Sequence, residues 1–167
     1  AAFFITAACL KPGSKLIIKN MLFNKTRTGF INTLKKMGAK IKILKKEIVN
    51  FELVADLKIE QKKYLKPIIL EAKDVPLQVD EIPILSIAAS FAEGKSIFKG
   101  LKELTVKESN RLLLIHQNLK KMGVNSEIIG FDLKKSDTNS LQNCLHILEN
   151  TKLNTSFFEN AVFDRNN

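Results

Sequence analysis

From Leu53 to Ile59 the chain alternates apolar and polar residues, with Leu53, Ala55, Leu57 and Ile59 on one side. A period of two predicts a half-buried strand. PIIL at 67–70 predicts a second one. Elsewhere the period is that of a helix. Phe30, Ile31, Leu34 and Met37 share one helical face, as do Leu112, Ile115, Leu119 and Met122, and Gly38 and Gly123 follow as left-handed stops. AAFFITAACL and IPILSIAASF have little polar face. They are expected to be buried nearly all round, with the sheets outside them.

These elements occur twice. AAFFITAACLKPGSKLIIKN leads through a loop to TRTGFINTLKKMGAKIKIL, and DEIPILSIAASFAEGKSIFKG leads to KESNRLLLIHQNLKKMGVNSEII. Gly13 matches Gly94 at an offset of 81, and the LKKMG of 34–38 returns at 119–123 at an offset of 85, so the second copy has the longer internal loop. Each copy reads helix, turn, short strand, loop, helix, strand. So long a period does not suit a solenoid and fits a domain of the α/β (α+β) class assembled from a few αβ units. The expected organisation is a domain over 1–130, with copies at about 1–50 and 80–130, and a poorly attached tail over 131–167. The tail is rich in Asn, Ser and Thr and has a short helical pattern near 140–149.

Composition narrows the function classes. The 167 residues include no apolar run long enough to span a membrane. The opening apolar segment has no basic lead-in and runs into Lys-Pro-Gly, so it reads as a buried helix rather than a signal peptide. It also starts without Met, cap or lead-in, which suggests a piece of something longer. Cys9 and Cys144 lack partners at ligand spacing, and His116 and His146 each stand alone, so no metal site is expected. Nothing argues for disulfides, which points to a reducing, cytoplasmic setting. The net charge of +10 invites a nucleic-acid reading, but only Arg27, Arg111 and Arg165 are Arg, Tyr64 is the only Tyr, and Trp is absent. The Lys pairs are spread along the chain and read as solvated faces, so no nucleic-acid partner is expected.

The chemistry concentrates at two helix heads. In QVDEIPILSIAASF, Asp80 suits an N-cap and Pro83 is tolerated in the first turn. In TVKESNRLLL, Ser109 or Asn110 can cap, with Lys107 and Glu108 just outside and Arg111 in the first turn. Cations at an N-terminus oppose the helix dipole. An anion in front would reverse that, with amide N–H groups, Lys107 and Arg111 converging on phosphate or carboxylate oxygens. On physics alone, a solvated helix end and an anion site both remain open. Asp80 and Glu108, if their helix heads converge, could do general acid–base work on a phosphorylated substrate.

At these residues the chain resembles the 5-enolpyruvylshikimate-3-phosphate (EPSP) synthase family. The resemblance is carried by PGSKLIIKN, NKTRTGFINTLKKMGA, VADL, VDEIPILSIAASFAEG, and LKELTVKESNRL followed by LKKMGV. It covers about 1–130 and has the flavour of the glyphosate-tolerant bacterial class II. It implies an inside-out α/β barrel of βαβαββ units, of which this chain holds part. It also implies transfer of the enolpyruvyl group of phosphoenolpyruvate to the 5-hydroxyl of shikimate 3-phosphate, with no cofactor or metal and a monomeric full-length protein. Position by position, Asp80 matches the proton acceptor near the 5-hydroxyl and Lys107 a shikimate 3-phosphate contact. Glu108 matches the group handling the methylene proton, and Arg111 a phosphoenolpyruvate-binding arginine. Arg27 of TRTG is read as structural.

The chain departs from the family pattern in places. Asn110 stands where Asp is usual and Lys25 where Pro is usual. The Lys-Ser and Arg substrate contacts and the serine pair with its Gln fall before residue 1, and no Asp-His-Arg follows residue 130. The expectation is therefore a polypeptide feeble or inactive alone. Rival readings are an enolpyruvyl transferase acting on UDP-N-acetylglucosamine, against which KESNR argues, and a basic nucleic-acid-binding module.

Overall fold

The computed structural model describes residues 1–24, 28–106, 109–129 and 144–148. Helix α1 (Ala2–Leu10) leads to strand β1 (Lys15–Leu22), helix α2 (Gly29–Lys36) and the hairpin β2 (Ile41–Val49)–β3 (Glu52–Glu60). The hairpin turns at Asn50 and Phe51, both at positive φ, the conformation a tight two-residue turn requires. Strand β3 lies between β1 and β2 and is antiparallel to both, so β1 and β2 are parallel and α2 is the crossover. Alternation works as expected: Ala55, Leu57 and Ile59 are buried and their neighbours half exposed.

The second copy repeats this arrangement. Strand β4 (Ile69–Leu70), helix α3 (Ile82–Ser90), strand β5 (Ser96–Phe98), helix α4 (Arg111–Lys121), strand β6 (Ser126–Ile129) and strand β7 (Cys144–Ile147) follow in order. Strand β7 lies between β5 and β6, antiparallel to each, as β3 lies between β1 and β2. The offsets survive in three dimensions, since β1 and β5 start 81 residues apart and β2 and β6 start 85 apart. Strand β4 adds a parallel edge beside β5, making the second copy βαβαββ. Both helix stops hold, with Gly38 at φ 93 and Gly123 at φ 78. One apolar cluster joins the copies, drawing Ile5 and Cys9 from α1, Leu34 from α2, Leu57 from β3, Leu85 from α3, Leu112 from α4 and Leu145 from β7. Burial pushes the Cys9 thiol up to about 12.

Three expectations need correction. Residues 144–147 form a strand, where the sequence suggested a helix near 140–149. Leu145 and Ile147 are fully buried while Cys144 and His146 are only half-buried, the alternation of a strand filling the slot between β5 and β6. PIIL contributes only Ile69–Leu70 as strand. Helix α3 is largely buried, but α1 leaves Phe3 at 72% and Phe4 at 71% exposure, because no described element covers that side. The lysine pairs at 35–36, 45–46, 62–63 and 120–121 are exposed; the pair at 134–135 lies outside the described residues.

Candidate active site

Strands β4 and β5 are parallel, so their outgoing segments leave the same end of the sheet. One segment, 71–81, runs into α3, and the other, 99–110, runs into α4. In open α/β sheets that strand end is where ligand sites form. The two segments touch: Lys99 Nζ lies 2.9 Å from Glu71 Oε1, and a Cβ on Gly100 would sit 2.4 Å from Ala72 Cβ. Gly100 also adopts φ 69, so glycine is required there on two grounds. Leu101 and Leu104 are fully buried and anchor the 3₁₀ turn Leu101–Thr105 just before the helix head.

Asp80 and Arg111, 31 residues apart, meet there. Arg111 Nη1 donates to Asp80 Oδ1 at 3.4 Å, with 39% and 66% of the two side chains exposed. The contact is loose and single, which leaves much of the guanidinium fork open to a ligand. Asn110 caps α4, its Oδ1 accepting from Leu113 N at 3.0 Å, as the sequence suggested. Asp80 does not cap α3. It sits inside a 3₁₀ turn, Val79–Glu81, and Glu81 occupies the cap position, which frees the Asp80 carboxylate to face Arg111. Lys107, Glu108 and Arg27 lie outside the described residues. An apolar groove of about 460 Å³, lined by Phe3, Ile84, Ile87, Ile115 and Met122 among others, does not include Asp80 or Arg111.

The segment carrying Asp80 is itself held by α2. Thr33 Oγ1 donates to Gln78 Oε1 at 2.8 Å, and Gln78 Nε2 donates to the Asp74 carbonyl at 3.0 Å. Sequence reasoning missed this link. Its one signal was a polar residue, Thr33, among the apolar positions of α2.

A family model, EPSP synthase (3-phosphoshikimate 1-carboxyvinyltransferase), matches residues 1–148. The chain belongs to the EPSP synthase family. It is 46% identical over 123 residues to the 3-phosphoshikimate 1-carboxyvinyltransferase of Thermoanaerobacter sp. strain X514, covering 74% of this chain and 29% of that protein. An EPSP synthase structure from Acinetobacter baumannii superposes with a TM-score of 0.75 at 34% identity, covering 90% of this chain and 31% of that one. The enolpyruvyl transferase NikO from Streptomyces tendae shares the fold, with a TM-score of 0.52 at 14% identity, covering 88% and 29%. These likenesses bear out the α/β fold class, built as part of the enolpyruvyl transferase architecture. The chain spans about three-tenths of the length of the EPSP synthases it matches. No described helix is long and apolar enough to cross a membrane.

Proposed function

We propose that this chain supplies one side of an enolpyruvyl-transfer site acting on phosphoenolpyruvate and shikimate 3-phosphate, within a cytoplasmic enzyme that is monomeric when full length and binds no nucleic acid. In this reading residues 1–130 are part of the catalytic domain and 131–167 are a divergent tail, of which Cys144–Ile147 completes the second sheet. The single observation behind it is the meeting of Asp80 and Arg111 at the heads of α3 and α4. A carboxylate and an open guanidinium at adjacent helix N-termini suit an anionic substrate bearing a hydroxyl to be deprotonated.

The roles are those the family resemblance implies at these positions, and the charges of the residues suit them. Arg111 binds phosphoenolpyruvate by its anionic groups, and Lys107 holds the phosphate of shikimate 3-phosphate. Asp80 takes the proton from the 5-hydroxyl as that hydroxyl oxygen bonds to the central carbon of phosphoenolpyruvate, while Glu108 delivers a proton to the methylene carbon. The tetrahedral adduct then collapses: a methyl proton passes back to the Glu108 carboxylate, the carbon–oxygen bond to the phosphate breaks with release of inorganic phosphate, and the double bond reforms. No metal or redox group enters.

The test is a titration of the 167-residue chain with phosphoenolpyruvate, following the Arg111 Nε–Hε and the Leu112 backbone amide resonances by NMR. Saturable shifts of both are expected, and the Leu112 shift should be lost in Arg111→Ala with the fold intact. A resonance unmoved at millimolar ligand would sink the anion site. With both substrates present this polypeptide alone is expected to release little phosphate, and normal turnover would contradict that expectation.

A further inference from the structure

The reaction just outlined makes no use of the buried Thr33–Gln78 link, although Gln78 lies two residues from Asp80. We propose that Thr33 and Gln78 are positioning residues. The hydroxyl on α2 of the first copy fixes the carboxamide about which the Asp80 segment folds, and so sets where Asp80 stands relative to Arg111. This deepens the reading of Asp80 and Arg111 given above and rests on it.

Gln78 belongs to both 3₁₀ turns of the segment. Its N–H bonds to the Val75 carbonyl at 2.9 Å, closing the turn Ala72–Leu77, and its carbonyl accepts from Glu81 N at 3.0 Å, across the turn that contains Asp80. Between the turns its backbone is extended in φ (−160°) with ψ 24°, so the chain changes direction at Gln78. Its side chain is bonded at both ends, and Thr33 and Gln78 are each 2% exposed. Two further contacts come from the same stripe of α2. Gly29 abuts Leu77 so closely that a Cβ would sit 2.7 Å from the Leu77 carbonyl, and Lys36 Nζ lies 3.6 Å from Asp74 Oδ2. Positions 29, 33 and 36 step by four and three, one face of a helix.

An apolar pair would fill this space equally well, but it would not fix a direction. Hydrogen bonds hold an angle as well as a distance, and inside a protein they are strong enough to select one arrangement of the turn. The helix at position one in the repeat pair thus acts as a template for the helix head of the other copy.

The test uses the full 167-residue chain and the Arg111 Nε–Hε resonance, with Asp80→Asn as reference for a lost partner. Thr33→Val should move the resonance in the same direction as Asp80→Asn, and Thr33→Ser, which keeps the hydroxyl, should leave it in place. The double variant Thr33→Val/Gln78→Met removes both polar partners and so leaves no orphaned group between them to unfold the chain. It should also move the resonance while melting cooperatively. Either Val-containing variant, folded and with Arg111 at its original position, would overturn the proposal. Phosphoenolpyruvate is not needed for this readout, so failure of the anion site and failure of the positioning role are separately visible.

Discussion

In the first copy α2 starts behind Thr28, whose side chain makes no capping hydrogen bond, and runs from Gly29 to Lys36. In the second, α4 starts behind Asn110, whose carboxamide caps it, and runs from Arg111 to Lys121. The strands around the two helices are ordered alike, first–third–second, with the same parallel crossover. What differs is the use of the helix. One packs a face against residues 74–78, through the buried Gly29 and Thr33 and the exposed Lys36. The other turns its head outward, with a guanidinium beside a carboxylate. A repeated scaffold therefore need not repeat a site, and the longer loop of the second copy lies where the two part company.

The comparison breaks first, and hardest, at the central strands. Leu57 of β3 and Leu145 of β7 are both fully buried in the shared cluster. Each Leu→Ala change should remove about 2–5 kcal/mol by urea unfolding, as large-to-small core substitutions do. Both variants should keep one transition. If Leu145→Ala splits the curve and Leu57→Ala does not, the copies do not fold as one unit.

A smaller effect is expected at the helix cap. Asn110→Ala removes the acceptor for Leu113 N and should cost about 1 kcal/mol, whereas Asn110→Asp keeps an acceptor and should be within a few tenths of the original. An Asn110→Ala variant as stable as its parent would put the ordering of this helix head elsewhere.

The smallest effect is one of slope. His116 stands where the repeat has Ile31, and its Nδ1 lies 2.9 Å from Ser126 Oγ. Burial, then the neighbouring charge of Lys120, pulls its pKa below the ordinary 6.5. As pH falls through 6.5 the unfolded chain takes up this proton before the folded one does. Stability is thus full above that value and declines from there down to the lower folded pKa. His116→Ile, making the second copy like the first, should flatten this part of the pH profile. Its absolute stability can fall, because Ser126 loses a partner, so the slope is the measurement that counts.

Much of this was legible in the residues, for reasons that are local. Alternation gave β3, because sheet pleating forces neighbours to opposite faces. The stripe of Phe30, Ile31 and Leu34 gave α2, and the two LKKMG stops gave matching helix ends. The resemblance pointed to Asp80 and Arg111 separately, as candidate site residues, and the parallel pair β4–β5 supplies the reason that they meet. What stayed hidden was non-local. Asp80 looked like a cap because Asp before an apolar helix usually is one. Here a hydrogen bond from α2 to Gln78 accompanies a 3₁₀ turn that moves the helix start past it. CLHI is too short for its period to be told apart from a helix, and only the open slot between two distant strands decides it. The apolar α1 promised burial on all sides, but apolar composition states a need for cover without naming what provides it.

Strand β7 has a consequence for how the molecule is made. The first sheet closes through a tight hairpin, so its middle strand follows directly after β2. In the second, the middle strand Cys144–Ile147 is also the last of its three, but it follows β6 only after residues 130–143. On a ribosome, where the N-terminal part emerges first, one half can seal while the other still shows two bare backbone edges. Until Ile147 emerges, the second sheet of a nascent chain lacks its middle strand.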